Sequence, residues 1–199
     1  RKCLRLHHNE ALVKAATFEK VVPFFILDPH FADHVGVNRF NFLLQSLQDL
    51  DSQLRERSSR LFVFRGKPEE ILPKLFNGKD EVHLSHVFLE KDTEPYARQR
   101  DAQVLRMAEE HGVHVDSFSG HTLLDIDAIV AKPGFKPPIS MKAMQNIMNA
   151  AGPIRVPLDI PKLPPLKVEG FEVPKIAEIT SEEPTSTGFP GGEQEALKR

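Results

Sequence analysis

Residues 21–65 place a short apolar run, a turn, a long amphipathic segment and a second apolar run in direct succession. Val21-Val22-Pro23-Phe24-Phe25-Ile26-Leu27 and Leu61-Phe62-Val63-Phe64 are nearly continuous apolar runs, the pattern of strands buried on both faces of a parallel sheet. Between them Val37, Phe40, Leu43, Leu44, Leu47, Leu50 and Leu54 recur at steps of three and four, which lines one face of a helix. Asn41, Gln45, Gln48, Asp49, Ser52 and Arg55 take the opposite face. A strand, a crossover helix and a parallel strand form one right-handed βαβ unit.

The alternation continues. Gly66-Lys67-Pro68-Glu69-Glu70 opens a helix, with proline at a first helical position and acids in the first turn. Pro73 is expected to keep it short and Asn77-Gly78 to end it. A strand is expected over 82–89, a helix over 96–110 closed by His111-Gly112, and a last short strand over 113–115. The fold class that follows is α/β: a Rossmann-like parallel sheet flanked by helices, with the segments 21–27, 61–64 and 82–89 adjacent in it.

The first residues read as a loop leading into a short helix over 10–16. A doubly wound sheet carries a strand ahead of such a loop. The expectation is therefore a sheet whose first strand is missing from the sequence, as in a fragment of a longer chain. From Lys132 the character changes. Lys132-Pro133-Gly134-Phe135-Lys136-Pro137-Pro138 is a turn-rich break, and Ser140 caps a short helix over 141–150. Residues 152–192 hold most of the prolines and no sustained periodicity, so they read as an extended Pro-rich linker, partly ordered at best. Gly191-Gly192-Glu193-Gln194-Glu195-Ala196-Leu197 reads as the first turn of a new helix. The expected division is 1–131 for the α/β domain, 132–188 for the linker and 189–199 for the start of a further domain.

Composition narrows the chemistry. The 26 basic and 28 acidic residues are interspersed, giving a net charge of −2 and no nucleic-acid stripe. A single cysteine, Cys3, excludes an internal disulfide and a cysteine-based zinc site. No apolar run approaches the roughly 18 residues of a membrane span, and no signal-peptide pattern opens the chain. These features point to a soluble, intracellular protein. No glycine-rich phosphate fingerprint follows any strand, and no nucleophile with a neighbouring base is legible. The pairs His7-His8, His83 and His86, and His111 and His114 have spacings compatible with metal binding, but surface or packing roles fit them better, since no carboxylate or thiolate set accompanies them.

The ordered motifs carry a resemblance. Leu4-Arg5-Leu6-His7-x-Asn9, Asp28-Pro29, Gly36-Val37-Asn38-Arg39-Phe40-x-Phe42-Leu43-Leu44, Ser59-Arg60-Leu61-Phe62-Val63, Glu90-x-Asp92-x-Glu94-Pro95, His121-Thr122-Leu123 and Phe189-Pro190-Gly191-Gly192-Glu193-x-Glu195-Ala196-Leu197 together resemble the amino-terminal half of the cryptochrome and DNA photolyase family. The similarity is strongest to the animal cryptochrome and (6-4) photolyase branch. It spans residue 1 to about Ser140 and resumes at Phe189. The sequence departs from the family pattern at His8, Glu10 and Ser140-Met141, and at positions where the family carries tryptophan, among them Phe40, Leu124 and Phe189.

The resemblance implies an antenna domain joined by the linker to an all-helical FAD-binding domain beyond Arg199, so no FAD-binding or catalytic residue is expected in this chain. It implies a blue-light photoreceptor or circadian regulator, nuclear or cytoplasmic, with clock proteins as partners. The alternative is a (6-4) photolyase repairing ultraviolet lesions in damaged DNA. A flavin-free α/β interaction module is the third reading. It also implies a deazaflavin or folate antenna. Asp92 and Glu94 follow the carboxyl end of a strand, where ligands of open α/β sheets bind, and acids at this motif line the antenna pocket in family members that carry a deazaflavin. They equally suit the N-terminus of the next helix. Arg5 and Arg39 are the cationic candidates for an anionic chromophore tail, with pairing of Arg39 to Asp28 or Asp33 as the competing role.

Overall fold

The structure, a computed structural model, describes residues 3–78, 83–186 and 188–199, and within them leaves aside the side chains of 32–34. Helix α1 (Glu10–Ala15) precedes strand β1 (Phe24–Leu27), α2 (Pro29–His34), α3 (Val37–Arg55), β2 (Phe62–Arg65), α4 (Pro68–Phe76), β3 (His86–Glu90), α5 (Pro95–Glu110), β4 (His114–Phe118), α6 (Ile126–Val130), α7 (Met141–Ala151) and α8 (Glu193–Leu197). Parallel strands flanked by helices are as expected from the alternation of apolar runs and amphipathic segments.

The strands form two parallel pairs. β1 lies beside β2 with Phe24 opposite Phe62 and Leu27 opposite Arg65. β3 lies beside β4 with His86 opposite His114 and Glu90 opposite Phe118. Among the described residues no ladder joins the pairs, so the expected pairing of the third strand with the first two is not seen. The far edge of β2 is taken by residues after 132, where Val63 N–H donates to the Phe171 carbonyl at 2.7 Å.

Two apolar layers hold these pairs. On one face Phe62 and Phe64 of β2 pack with Val87 of β3 and with Leu72, Leu75 and Phe76 of α4 and Val104 and Ala108 of α5. On the other, Leu27 and Val63 pack with Leu44, Leu47, Leu50 and Leu54 of α3. Each fully buried leucine or phenylalanine contributes roughly 1.5–3 kcal/mol. That gain explains why α4 runs through Pro73 to Phe76 rather than stopping short, although an interior proline costs about 3 kcal/mol.

Two helices escape periodicity. α2 is a six-residue helix with Pro29 in its first turn, and Asp28 caps it by accepting from His30 N–H at 2.9 Å. α6 is capped by Asp125, which accepts from Asp127 and Ala128 N–H. β4 extends to Phe118, beyond the expected 115. Val82, expected to begin the third strand, lies outside the described residues.

The Pro-rich linker is packed rather than loose. Leu163 is buried, Leu166 N–H donates to Ser58 O at 2.9 Å, and the buried Arg60 donates to Val168 O, Gly170 O and the Glu172 carboxylate. Extended backbone without an internal repeat is held here by side chains far away in sequence, which local pattern reading does not see.

Candidate functional site

The loop before α1 is fixed at both ends. Leu6 is 1% exposed. Asn9 caps α1, accepting from Leu12 N–H at 3.0 Å, and its amide donates to Arg5 O at 2.9 Å. Between these anchors the Arg5 guanidinium donates to the carbonyls of His8 and Gly120, both at 3.2 Å. Gly120 follows β4, so Arg5 spans the carboxyl end of the sheet, the edge at which open α/β folds bind ligands.

Arg39 stands in the first turn of α3, with its guanidinium carbon 5.6 Å from the centre of the Phe31 ring, a cation–π contact. Arg5, Arg39, Phe31 and Phe42 line one open cleft of about 550 Å³, together with Cys3 and Leu4 and with Glu193, Ala196 and Leu197 of α8. Burial, reinforced by the Glu90 carboxylate, pushes the Cys3 thiol above its ordinary range, although Arg5 opposes the shift. The thiol there is held neutral. The cleft therefore combines apolar walls, two aromatic rings and two cations.

Asp92 and Glu94 do not line this cleft. Asp92 Oδ1 accepts from Glu94 N–H at 3.1 Å and Glu94 is the N-cap residue of α5. Their local geometry is that of a turn into a helix. The structure thus brings together Arg5 and Arg39 and sets the acidic pair apart. Tyr96 links the two regions: its hydroxyl donates to Asp28 at 3.1 Å and its ring stacks on His30 at 4.3 Å. Burial and the Asp28 hydrogen bond push the Tyr96 phenol up, so it stays protonated and donating. Asp28 is thus engaged by Tyr96 and by its own helix cap, not by Arg39. The Asp33 side chain lies outside the described residues.

A second polar group lies at the ends of β3 and β4. His121 Nδ1 is 3.9 Å from Glu90 Oε1, with both side chains mostly buried. Among the described residues no three His, Cys, Asp or Glu side chains converge as metal ligands, and no helix is long and apolar enough to cross a membrane. Two residues that hold the site went unassigned in the sequence. Asp51 is 2% exposed; it accepts from Leu61 N–H at 2.8 Å and pairs with Arg55 at 2.7 Å. Glu193 accepts from the N–H groups of Leu6 and His7 and from Gln53. The only local hint at either was an acid placed among apolar helix positions, or next to a Gly-Gly pair.

The sequence matches the DNA photolyase family over residues 1–162. It is 40% identical to Cryptochrome-1 of Mus musculus over 216 aligned residues, which cover 100% of this chain and 35% of that protein. Cryptochrome-2 of Gallus gallus is 41% identical over 169 residues, covering 82% of this chain and 27% of its own length. The chain thus spans about a third of the cryptochromes it matches. Among solved structures, the Synechocystis cryptochrome superposes with a TM-score of 0.82 at 21% identity, covering 100% of this chain and 43% of that one. A class III photolyase from Agrobacterium tumefaciens superposes with a TM-score of 0.79 at 25% identity, covering 100% of this chain and 42% of that one.

Proposed function

The chain belongs to the DNA photolyase family, and from that premise we propose that it is the amino-terminal antenna-type domain of a cryptochrome-type blue-light flavoprotein, a photoreceptor or circadian regulator. The observation that carries this reading is 40% identity to an animal cryptochrome across the whole chain. Clock proteins are the partners in this reading and the nucleus or cytoplasm its setting. DNA repair, with damaged DNA as partner, is the secondary reading and draws on the photolyases among the solved neighbours.

The family's FAD is assigned to residues after the Gly191-Gly192-Glu193 junction. In support, no strand of this chain is followed by a glycine-rich phosphate loop, tryptophan is absent and Tyr96 is the only tyrosine. The antenna is assigned to the carboxyl edge of the sheet. Arg5 Nε is buried without a partner among the described residues, beside a cleft that also holds Arg39, Phe31 and Phe42. A planar chromophore with an anionic tail, a deazaflavin or a folate, would harvest light there. Arg5 and Arg39 would bind the tail and the two phenylalanines the ring. Asp92 and Glu94 lie outside that cleft and enter this reading only as acids at the start of α5.

The test is a titration of the purified chain with 8-hydroxy-5-deazaflavin, followed by fluorescence anisotropy. Saturable 1:1 binding is expected, weakened tenfold or more by Arg5→Ala with Arg39→Ala. Absence of saturable binding would remove the antenna role.

A further inference from the structure

Residues 128–158 contain no aspartate or glutamate, although the chain holds 28. Their cations are Lys132, Lys136, Lys142 and Arg155. Arg155 pairs with Glu10, while the three lysines are exposed and form no ion pair among the described residues. Ser140 is the only hydroxyl-bearing residue in the stretch. It is exposed and stands between Lys136 and Lys142.

The backbone around Ser140 is open and already extended. Ser140 itself has φ −139° and ψ 156°. Pro137 and Pro138 restrict the approach to it, and the N–H groups of Lys136 and Ile139 meet no backbone acceptor among the described residues. Ile139 is 99% exposed and Met141 82%. The Ser140 Oγ accepts from Ala143 N–H at 3.2 Å. That contact occupies one lone pair and leaves the O–H proton and the other lone pair available. Ser58 is the competing exposed hydroxyl with basic neighbours, Arg57 and Arg60. Its backbone is committed to a tight turn: its N–H donates to Arg55 O at 3.0 Å and its carbonyl accepts from Leu166 N–H at 2.9 Å. Phe62 and Val63 beyond it are fixed in β2, so the Ser58 segment cannot be drawn out as the Ser140 segment can.

We propose that Ser140 is a phosphorylation site for a base-directed protein kinase, one whose substrate groove is acidic. The groove's carboxylates would meet Lys136 and Lys142, and the extended segment 136–141 would lie along it. Ser140 Oγ forms a bond to the γ-phosphorus of ATP, the bond from that phosphorus to the ADP oxygen breaks, and the hydroxyl proton passes to the kinase's catalytic aspartate. The added dianion is then held by the N–H groups of Lys142 and Ala143 in the first turn of α7 and by the Lys142 charge. This inference stands apart from the photoreceptor reading.

The experiment incubates the whole chain with ATP, magnesium and the catalytic domain of protein kinase C, and locates phosphate by mass spectrometry. One phosphate per chain is expected, on Ser140, and none on Ser140→Ala. Lys136→Glu with Lys142→Glu, both on the exposed surface, should slow the reaction at least tenfold. Casein kinase II, which seeks acidic neighbours, should leave Ser140 unmodified. Amide exchange at Lys142 and Ala143 should slow at least threefold on phosphorylation, a readout that accessibility alone would not move. Four results would overturn the proposal: no phosphate on Ser140, phosphate on Ser58 in its place, a rate unchanged by the two charge reversals, or exchange in α7 unaltered by the modification.

Discussion

The backbone N–H of Leu6 donates to Glu193 Oε2 at 2.8 Å, joining the loop before α1 to the first residue of α8 across 187 positions of sequence. Glu193 also accepts from His7 N–H at 3.2 Å and from Gln53 at 3.4 Å. The approach of α8 to α3 that permits this depends on glycine: Gly192 has φ +126°, and a Cβ there would fall 2.6 Å from the Asp49 Cβ.

Glu193→Ala leaves buried N–H groups of the first loop without an acceptor. Each such group costs about 1–3 kcal/mol. The variant should lose roughly 2–3 kcal/mol, seen as a lower urea midpoint with an unchanged slope. Glu193→Gln keeps one acceptor oxygen and should lose less than half as much.

Asp51 is the corresponding tie between α3 and β2. Its carboxylate holds Leu61 N–H and the Arg55 guanidinium at once. Asp51→Ala should cost about 2–4 kcal/mol, because Leu61 N–H is left buried and unpaired. Asp51→Asn should cost about half of that in the same urea titration.

Legibility in the sequence followed the range of the forces involved. α3 and the strands at 24–27 and 62–65 were legible because periodicity and apolar runs are local consequences of burial. α2 and α6 were not, since each is a five- or six-residue helix made by an aspartate cap, at Asp28 and Asp125. The separation into two strand pairs was not legible in the segments themselves, because which strands share a ladder is a long-range property that apolar runs do not carry. At the site, Arg5 and Arg39 were identifiable as cations at loop and helix starts. That they share one cleft, and that Asp92 and Glu94 stand outside it, is set by the turn at Asp28–Phe31, which no spacing rule describes. The two carboxylates that hold the assembly, Asp51 and Glu193, act over 10 and 187 residues and leave no local mark.

Asp125 gives a pH dependence of known sign. Burial alone would raise its pKa, but the N–H groups of Ala128 and Asp127, the Lys91 charge and the Ser119 hydroxyl together hold it below the usual carboxylate range. A carboxyl with a lowered folded-state pKa contributes stability above its unfolded value, about 3.9, and loses that contribution as pH falls through the folded value. The thermal advantage of the native chain over Asp125→Ala should be full at pH 6 and shrink below about pH 4. An advantage that grew on acidification would contradict the assigned cause.

The central claim is a division of labour in which this chain is an antenna-type domain and its flavin is held by residues outside its α/β fold. The most direct measurement mixes the purified 199-residue chain with excess FAD, desalts it and records the visible absorbance of the protein fraction. The account predicts a colourless fraction with no retained flavin, from a sample that still binds 8-hydroxy-5-deazaflavin. Stoichiometric FAD on the desalted chain would contradict it.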